Sequence, residues 1–227
     1  MVKISPLQSC FLQLNHILFR LTWANDLQEK LNQEMEKVYE TNNPLEESNR
    51  INAQSVMILD YILLNLDQLL EIHDTQLGKV LKEIDFVDLL KHLKNLWVPI
   101  NGLRGKIVLW RNNYVAHSVN QAINFHSLSE IDPDYNNTIK KTFFASRLAT
   151  LYISTIFSNL NSDYKIAISS GKLRIELHGG KWAWNDFTSD WEKMKKNERE
   201  LKEQTDKILQ KNGYKPTVRL EFRSVPM

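Results

Sequence analysis

At 227 residues the chain is long enough for one sizeable domain, or one domain with an appendage, and for a buried hydrophobic core. Its hydrophobic fraction of 42% and charged fraction of 25% are those of a globular protein and exclude a disordered, low-complexity chain. A formal charge of +2 excludes the basic balance of a protein that holds nucleic acid through many phosphate contacts, so any nucleic-acid contact has to be local.

Cys10 is the single cysteine, so neither an intrachain disulfide nor a thiolate zinc cage is expected, and a reducing cytoplasm is the compartment that suits the chain. The first residues lack the charge and apolar block of a signal peptide, and the most apolar run, from Val56 to Leu70, is broken by Asp60, Asn65 and Asp67. No membrane span is expected.

In chain order, Ser5 and Pro6 form an N-cap and first-turn pair, after which Leu7, Phe11, Leu14, Leu18 and Leu21 recur at helical spacing. That predicts one amphipathic helix, continuing towards Tyr39. Asn43, Pro44, Glu46 and Glu47 open a second helix reaching about Ile72, apolar on nearly every side from Val56 onward and therefore central. Asp60 and Asp67 on it are expected to bond to polar neighbours rather than to a metal. After Gly78, a helix over 85–97 carries Phe86, Leu89, Leu90, Leu93, Leu96 and Trp97, with Asp85 as its cap. Val98 before Pro99 predicts a break there, with Pro99 in the first turn of the next helix. Gly102 and Gly105 are expected to permit close helix approach. Asp132, Pro133 and Asp134 announce another long helix, with an apolar face of Ile139, Phe143, Phe144, Leu148, Leu151, Tyr152 and Ile156.

Beyond Ser162 the pattern changes. Residues 164–168 and 173–177 flank Ser169, Ser170, Gly171 and Lys172, and the second run alternates apolar and polar residues, which predicts a β-hairpin. A helix over about 188–210 follows, laced with Lys and Glu and read as a solvated, ion-paired face, then a strand over 217–222. The expected fold is thus mainly α: an antiparallel helical bundle of residues 1–162 bearing a small C-terminal α+β appendage, 163–227. Gly179 and Gly180 beside Trp182 and Trp184 are expected to pack that appendage on the bundle.

The segment that points to chemistry follows Pro99. Ile100, Leu103, Ile107, Trp110, Tyr114 and His117 form one helical stripe that packs, while Arg111 lies roughly 120° from His117 around an ideal helix. RNA carries its own nucleophile, the 2′-hydroxyl, so cleavage needs a base for its proton, an acid for the departing 5′-oxygen and a cation for the phosphorane. A histidine serves the first two near neutral pH, and a guanidinium that stays charged and donates two hydrogen bonds serves the third. Asn112 would orient one of them or donate to phosphate. The other histidines are scattered, without a metal-ligand spacing, and no metal or cofactor is called for.

Arg111, Asn112 and His117, with five residues between Arg and His, resemble the R-x4-6-H motif of the HEPN superfamily, in which a polar residue often follows the Arg. The architectural resemblance covers roughly 45–162. It implies a helical bundle, metal-independent ribonuclease activity with Arg111, Asn112 and His117 as catalytic residues, and a role in phage defence or a toxin–antitoxin system. Arg104, Asn113, Tyr114 and Ser118 are the expected flanking RNA contacts. A homodimer through the motif helix would set two histidines at one composite site, and an antitoxin or a nucleotidyltransferase is a possible partner class. Two other readings stay open: a non-catalytic HEPN-like partner module, and a structural helical protein in which the motif is accidental.

Overall fold

The computed structural model describes residues 5–113, 132–160 and 189–218. Helix α1, Pro6–Glu36, begins with a reciprocal cap: the Ser5 hydroxyl accepts from the Gln8 backbone N–H at 3.2 Å, and the Gln8 side chain accepts from the Ser5 N–H at 3.0 Å. Phe11, Leu14, Leu18 and Leu21 are buried, as their spacing requires. A short 3-10 turn, Val38–Glu40, leads to α2, Pro44–Ile72, at whose start the Asn43 side chain bonds to the Glu46 carboxylate at 2.5 Å rather than to backbone.

Helix α2 is the centre of the bundle and touches α1, the motif helix and the long helix that follows it. Against α1 it runs antiparallel: Ser48 meets Met35, Ser55 meets Gln28 at 3.3 Å, and the Tyr61 ring sits edge-on to Trp23 at 5.7 Å, so numbers rise along one helix as they fall along the other.

Past Ile72 the helix widens into a π turn, His73–Leu77, and continues as α3, Gly78–Glu83, with Gly78 in ordinary helical geometry. The stop comes at Asp85, whose φ of +58° lets the Phe86 N–H reach back to the Leu81 carbonyl at 2.8 Å. Asp85 therefore ends one helix rather than capping the next, a left-handed position that a short polar side chain tolerates. The single helix expected over 85–97 is two, α4, Val87–His92, and α5, Lys94–Asn101, which meet at Leu93. Pro99 lies inside α5, not in the first turn of its successor. Only one turn of α5 precedes it, so the hydrogen bond its missing N–H forfeits comes at the edge of a short helix.

Immediately beyond, the Gly102 N–H bonds to the Val98 carbonyl at 2.9 Å and the chain turns into α6, Arg104–Asn113. A Cβ on Gly102 would stand 3.3 Å from that carbonyl oxygen, whereas one on Gly105 would meet open space. Gly102 thus serves its own turn, and neither glycine brings two helices together as expected.

Helix α7, Tyr135–Asn159, lies antiparallel to α1, with Ser146 bonded to Asn25 at 2.9 Å near one end and Phe157 edge-on to Phe11 at the other. Helix α8, Ser189–Lys211, packs on α4, α5 and α7, joined to α7 by an ion pair between Arg147 and Glu198, 2.7 Å apart and almost wholly buried. The expected hairpin, 164–168 and 173–177, lies outside the described residues, and no strand occurs among those described. Thr217 and Val218, the start of the expected last strand, are irregular: Thr217 donates to the Asp206 carboxylate through both its N–H and its hydroxyl, each at 2.6 Å, and the rest of that strand is outside the described residues.

Candidate functional site

Two faces of α6 hold it in place. On the inner face Ile107 and Trp110 are fully buried, in line with Ile100 and Leu103, so the stripe read from the sequence packs as far as the described residues extend. The Trp110 indole N–H donates to Asp132 at 3.2 Å, and the same buried carboxylate accepts from Lys106 Nζ at 2.6 Å, the Thr138 hydroxyl at 2.7 Å and the Asp134 backbone N–H at 3.1 Å. Burial alone would push the Asp132 pKa up, but the hydrogen bonds from Lys106, Thr138 and Asp134 together with the Lys106 charge outweigh it and hold the carboxyl below the usual range. Asp132, read from sequence as a helix-start signal, therefore also ties α7 to α6.

The other face looks onto α2, and there the two helices run antiparallel through a pair of arginine–aspartate rungs. Asp74, just past the end of α2, meets Arg104, and Asp67 meets Arg111. In each helix the two residues are seven apart, two helical turns, and so share a face.

The rungs differ in how fully they are closed. Arg104 grips Asp74 with two nitrogens, Nη1 to Oδ2 at 2.6 Å and Nη2 to Oδ1 at 3.1 Å, while its Nε and Nη2 also donate to Asn101 at 3.1 and 2.9 Å. The Arg104 hydrogen bond leads the effects that hold the Asp74 carboxyl below its ordinary range. Beside it His73 stacks on Trp97, ring centroids 3.7 Å apart, and burial lowers the His73 pKa against the opposing pull of Asp74. Arg111 meets Asp67 with one nitrogen only, Nη1 to Oδ2 at 2.6 Å, and its Nε donates to the Asn112 carboxamide oxygen at 3.1 Å. Its side chain is 40% exposed over a carboxylate that is 19% exposed.

A third aspartate, Asp60, continues the α2 stripe one more seven-residue step. Its Oδ1 is buried without a hydrogen-bond partner, and burial pushes its pKa up to about 7. The expectation that both central-helix aspartates bond to polar neighbours thus holds for Asp67 and is corrected for Asp60.

Of the residues singled out from sequence, Arg111 and Asn112 are brought together in the last described turn of α6, Arg104 lies on the same face as Arg111, and Asn113 is the last described residue of that helix. His117, Tyr114 and Ser118 lie outside the described residues. Sequence reasoning missed Asp67 as the partner of Arg111. The signal was present as matching seven-residue spacings, Asp67 to Asp74 and Arg104 to Arg111. Among the described residues no group of three or more His, Cys, Asp or Glu could hold a metal ion, and no helix is long and apolar enough to cross a membrane. No family model, curated protein or solved structure matches this chain.

Proposed function

We propose that this chain is a metal-independent endoribonuclease of HEPN type, acting by 2′-hydroxyl attack, with Arg111, Asn112 and His117 as its catalytic residues and phage defence or a toxin–antitoxin system as its setting. The observation that carries the reading is the state of Arg111: a half-exposed guanidinium on a helix fixed on two faces, oriented by one carboxylate oxygen and not enclosed by it. Such a cation stabilises the charge that develops on a phosphorane. His117, six residues further along the chain, supplies proton transfer near neutral pH. A second proton carrier comes from the same residue of another protomer if two copies pair through the motif helix.

The products test the mechanism. Attack by the 2′-hydroxyl forms the P–O2′ bond, breaks the P–O5′ bond and leaves a 2′,3′-cyclic phosphate and a 5′-hydroxyl. An RNA with one 2′-deoxy sugar at the cut position should resist cleavage at that bond, and the His117→Ala protein should leave the unmodified RNA intact. Equal cutting of the deoxy substrate would refute the mechanism.

One observation favours a second reading, a non-catalytic helical partner module: the Arg111–Asp67 ion pair also clamps α6 to α2, as the Arg104–Asp74 pair does. Under that reading Arg111→Ala changes stability and no RNA is cut.

A further inference from the structure

A guanidinium offers phosphate two edges, Nη1–Nη2 and Nε–Nη2, each with two roughly parallel N–H bonds, and a bidentate contact needs one whole edge. In Arg111 each edge is half occupied: Asp67 holds Nη1 at 2.6 Å and Asn112 holds Nε at 3.1 Å, while Nη2, common to both, meets no acceptor among the described residues. The two occupants are unequal. Asp67 is charged, largely buried and close, so its pair with Arg111 adds an attraction between unit charges that a neutral acceptor on the same guanidinium lacks. It also repels an anion approaching its own edge. Asn112 is neutral, exposed and further away. An incoming phosphate therefore finds one edge guarded and the other yielding.

Asn112 also has somewhere to go. A half-turn of its carboxamide replaces the oxygen by the NH2 group, which donates where the oxygen accepted. The group that vacates Nε can thus join Arg111 in holding the same phosphate. We propose that Arg111 takes a substrate phosphate on its Nε–Nη2 edge, with Asn112 as the displaceable occupant of that edge and Asp67 as the positioning residue that holds the other. This rests on the ribonuclease reading for its substrate, RNA, but the edge assignment concerns phosphate alone. The Arg104 rung supplies an internal control, since its three nitrogens are all committed to Asp74 and Asn101.

The test follows the arginine Nε–Hε resonances of the 15N-labelled full chain during titration with inorganic phosphate, with RNA cleavage measured on the same preparation. The Arg111 resonance should shift on binding and the Arg104 resonance should stay. Asn112→Ala, which empties the edge, should keep the response. Asn112→Asp, which installs a charged occupant, should weaken phosphate binding about tenfold or more, because the phosphate then has to displace a unit negative charge and lie beside it. Asp67→Asn keeps the shape but not the charge, and should lower kcat without raising KM, a split that mere loss of fold would not give. An unmoved Arg111 resonance in the wild type, or an Asn112→Asp protein that binds phosphate as the wild type does, overturns the proposal. Cleavage without the Arg111 shift removes the edge assignment and leaves the ribonuclease reading standing. The shift without cleavage does the reverse.

Discussion

The two arginine–aspartate rungs between α2 and α6 use the same residue types, on the same pair of helices, two turns apart, and they are built for different ends. At Arg104 every nitrogen is engaged, two on Asp74 and two on Asn101 with one shared, so none is left uncommitted although the side chain is 40% exposed. At Arg111, among the described residues, one carboxylate oxygen and one neutral amide fix the orientation of the guanidinium, and the side chain is 40% exposed. An ion pair is therefore not by itself evidence for or against a binding role. What decides is how many of the arginine's donors remain when the pair has formed.

The strongest way to break this comparison is to remove each arginine in turn. Arg111→Ala should lose a hundredfold to a thousandfold in RNA cleavage, the usual cost of deleting a transition-state charge stabiliser, with its circular dichroism unchanged. Arg104→Ala should lose less than about tenfold. Equal losses from the two would mean that both rungs serve the fold alone.

The third aspartate of the α2 stripe differs from both, because no arginine meets it among the described residues. Burial raises the folded-state pKa of Asp60 to about 7, above the ordinary value of 3.8, so the native protein holds that proton more tightly than the unfolded chain does. Its stabilising contribution is full below about pH 4 and is lost as pH rises towards 7. Asp60→Asn should remove that loss and leave the variant more stable than the wild type at pH 8, by on the order of 2 kcal/mol in urea unfolding. A variant less stable than the wild type at that pH would show that the ionised carboxylate is needed.

The smallest effect belongs to the closed rung. Asp74 is held below the ordinary carboxylate range, first by its hydrogen bond from Arg104, so the rung's contribution is present above that range and lost as pH falls through the folded value. Both side chains are more than a third exposed, which limits the cost of Arg104→Ala to below about 1 kcal/mol at neutral pH. The gap between variant and wild type should narrow further as Asp74 is protonated, and unfolding midpoints at pH 3 and pH 7 read it directly.

The local features were largely legible in the residues. Pro44 and the acidic first turn place the start of α2, the apolar residues on nearly every side from Val56 onward carry it to about Ile72, and the stripe from Ile100 to Trp110 announces the buried face of α6. The misreadings have a common cause, competition between local signals and tertiary contacts. Asp85 looks like a cap because its type suits that role, yet its left-handed backbone closes the preceding helix. Pro99 looks like a first-turn residue, yet α5 buries Leu96 and Ile100 on either side of it and tolerates a missing bond near its end. Asp67 carries no local sign of which polar neighbour it meets, because the register between two antiparallel helices is set by their packing and not by either sequence alone. The π turn at His73–Leu77 has no signal that spacing could reveal; at its first residue His73 stacks on Trp97 of α5.

One measurement bears most directly on the claim that the open rung is a catalytic cation. Purified wild-type protein, Arg111→Ala and Arg104→Ala are incubated side by side with total RNA in the presence of EDTA, and the new 3′ ends are analysed. The account predicts cleavage by the wild type that leaves cyclic phosphate, its loss in Arg111→Ala, and its survival in Arg104→Ala. Intact RNA with the wild-type protein, or cutting by Arg111→Ala at the wild-type rate, would contradict it.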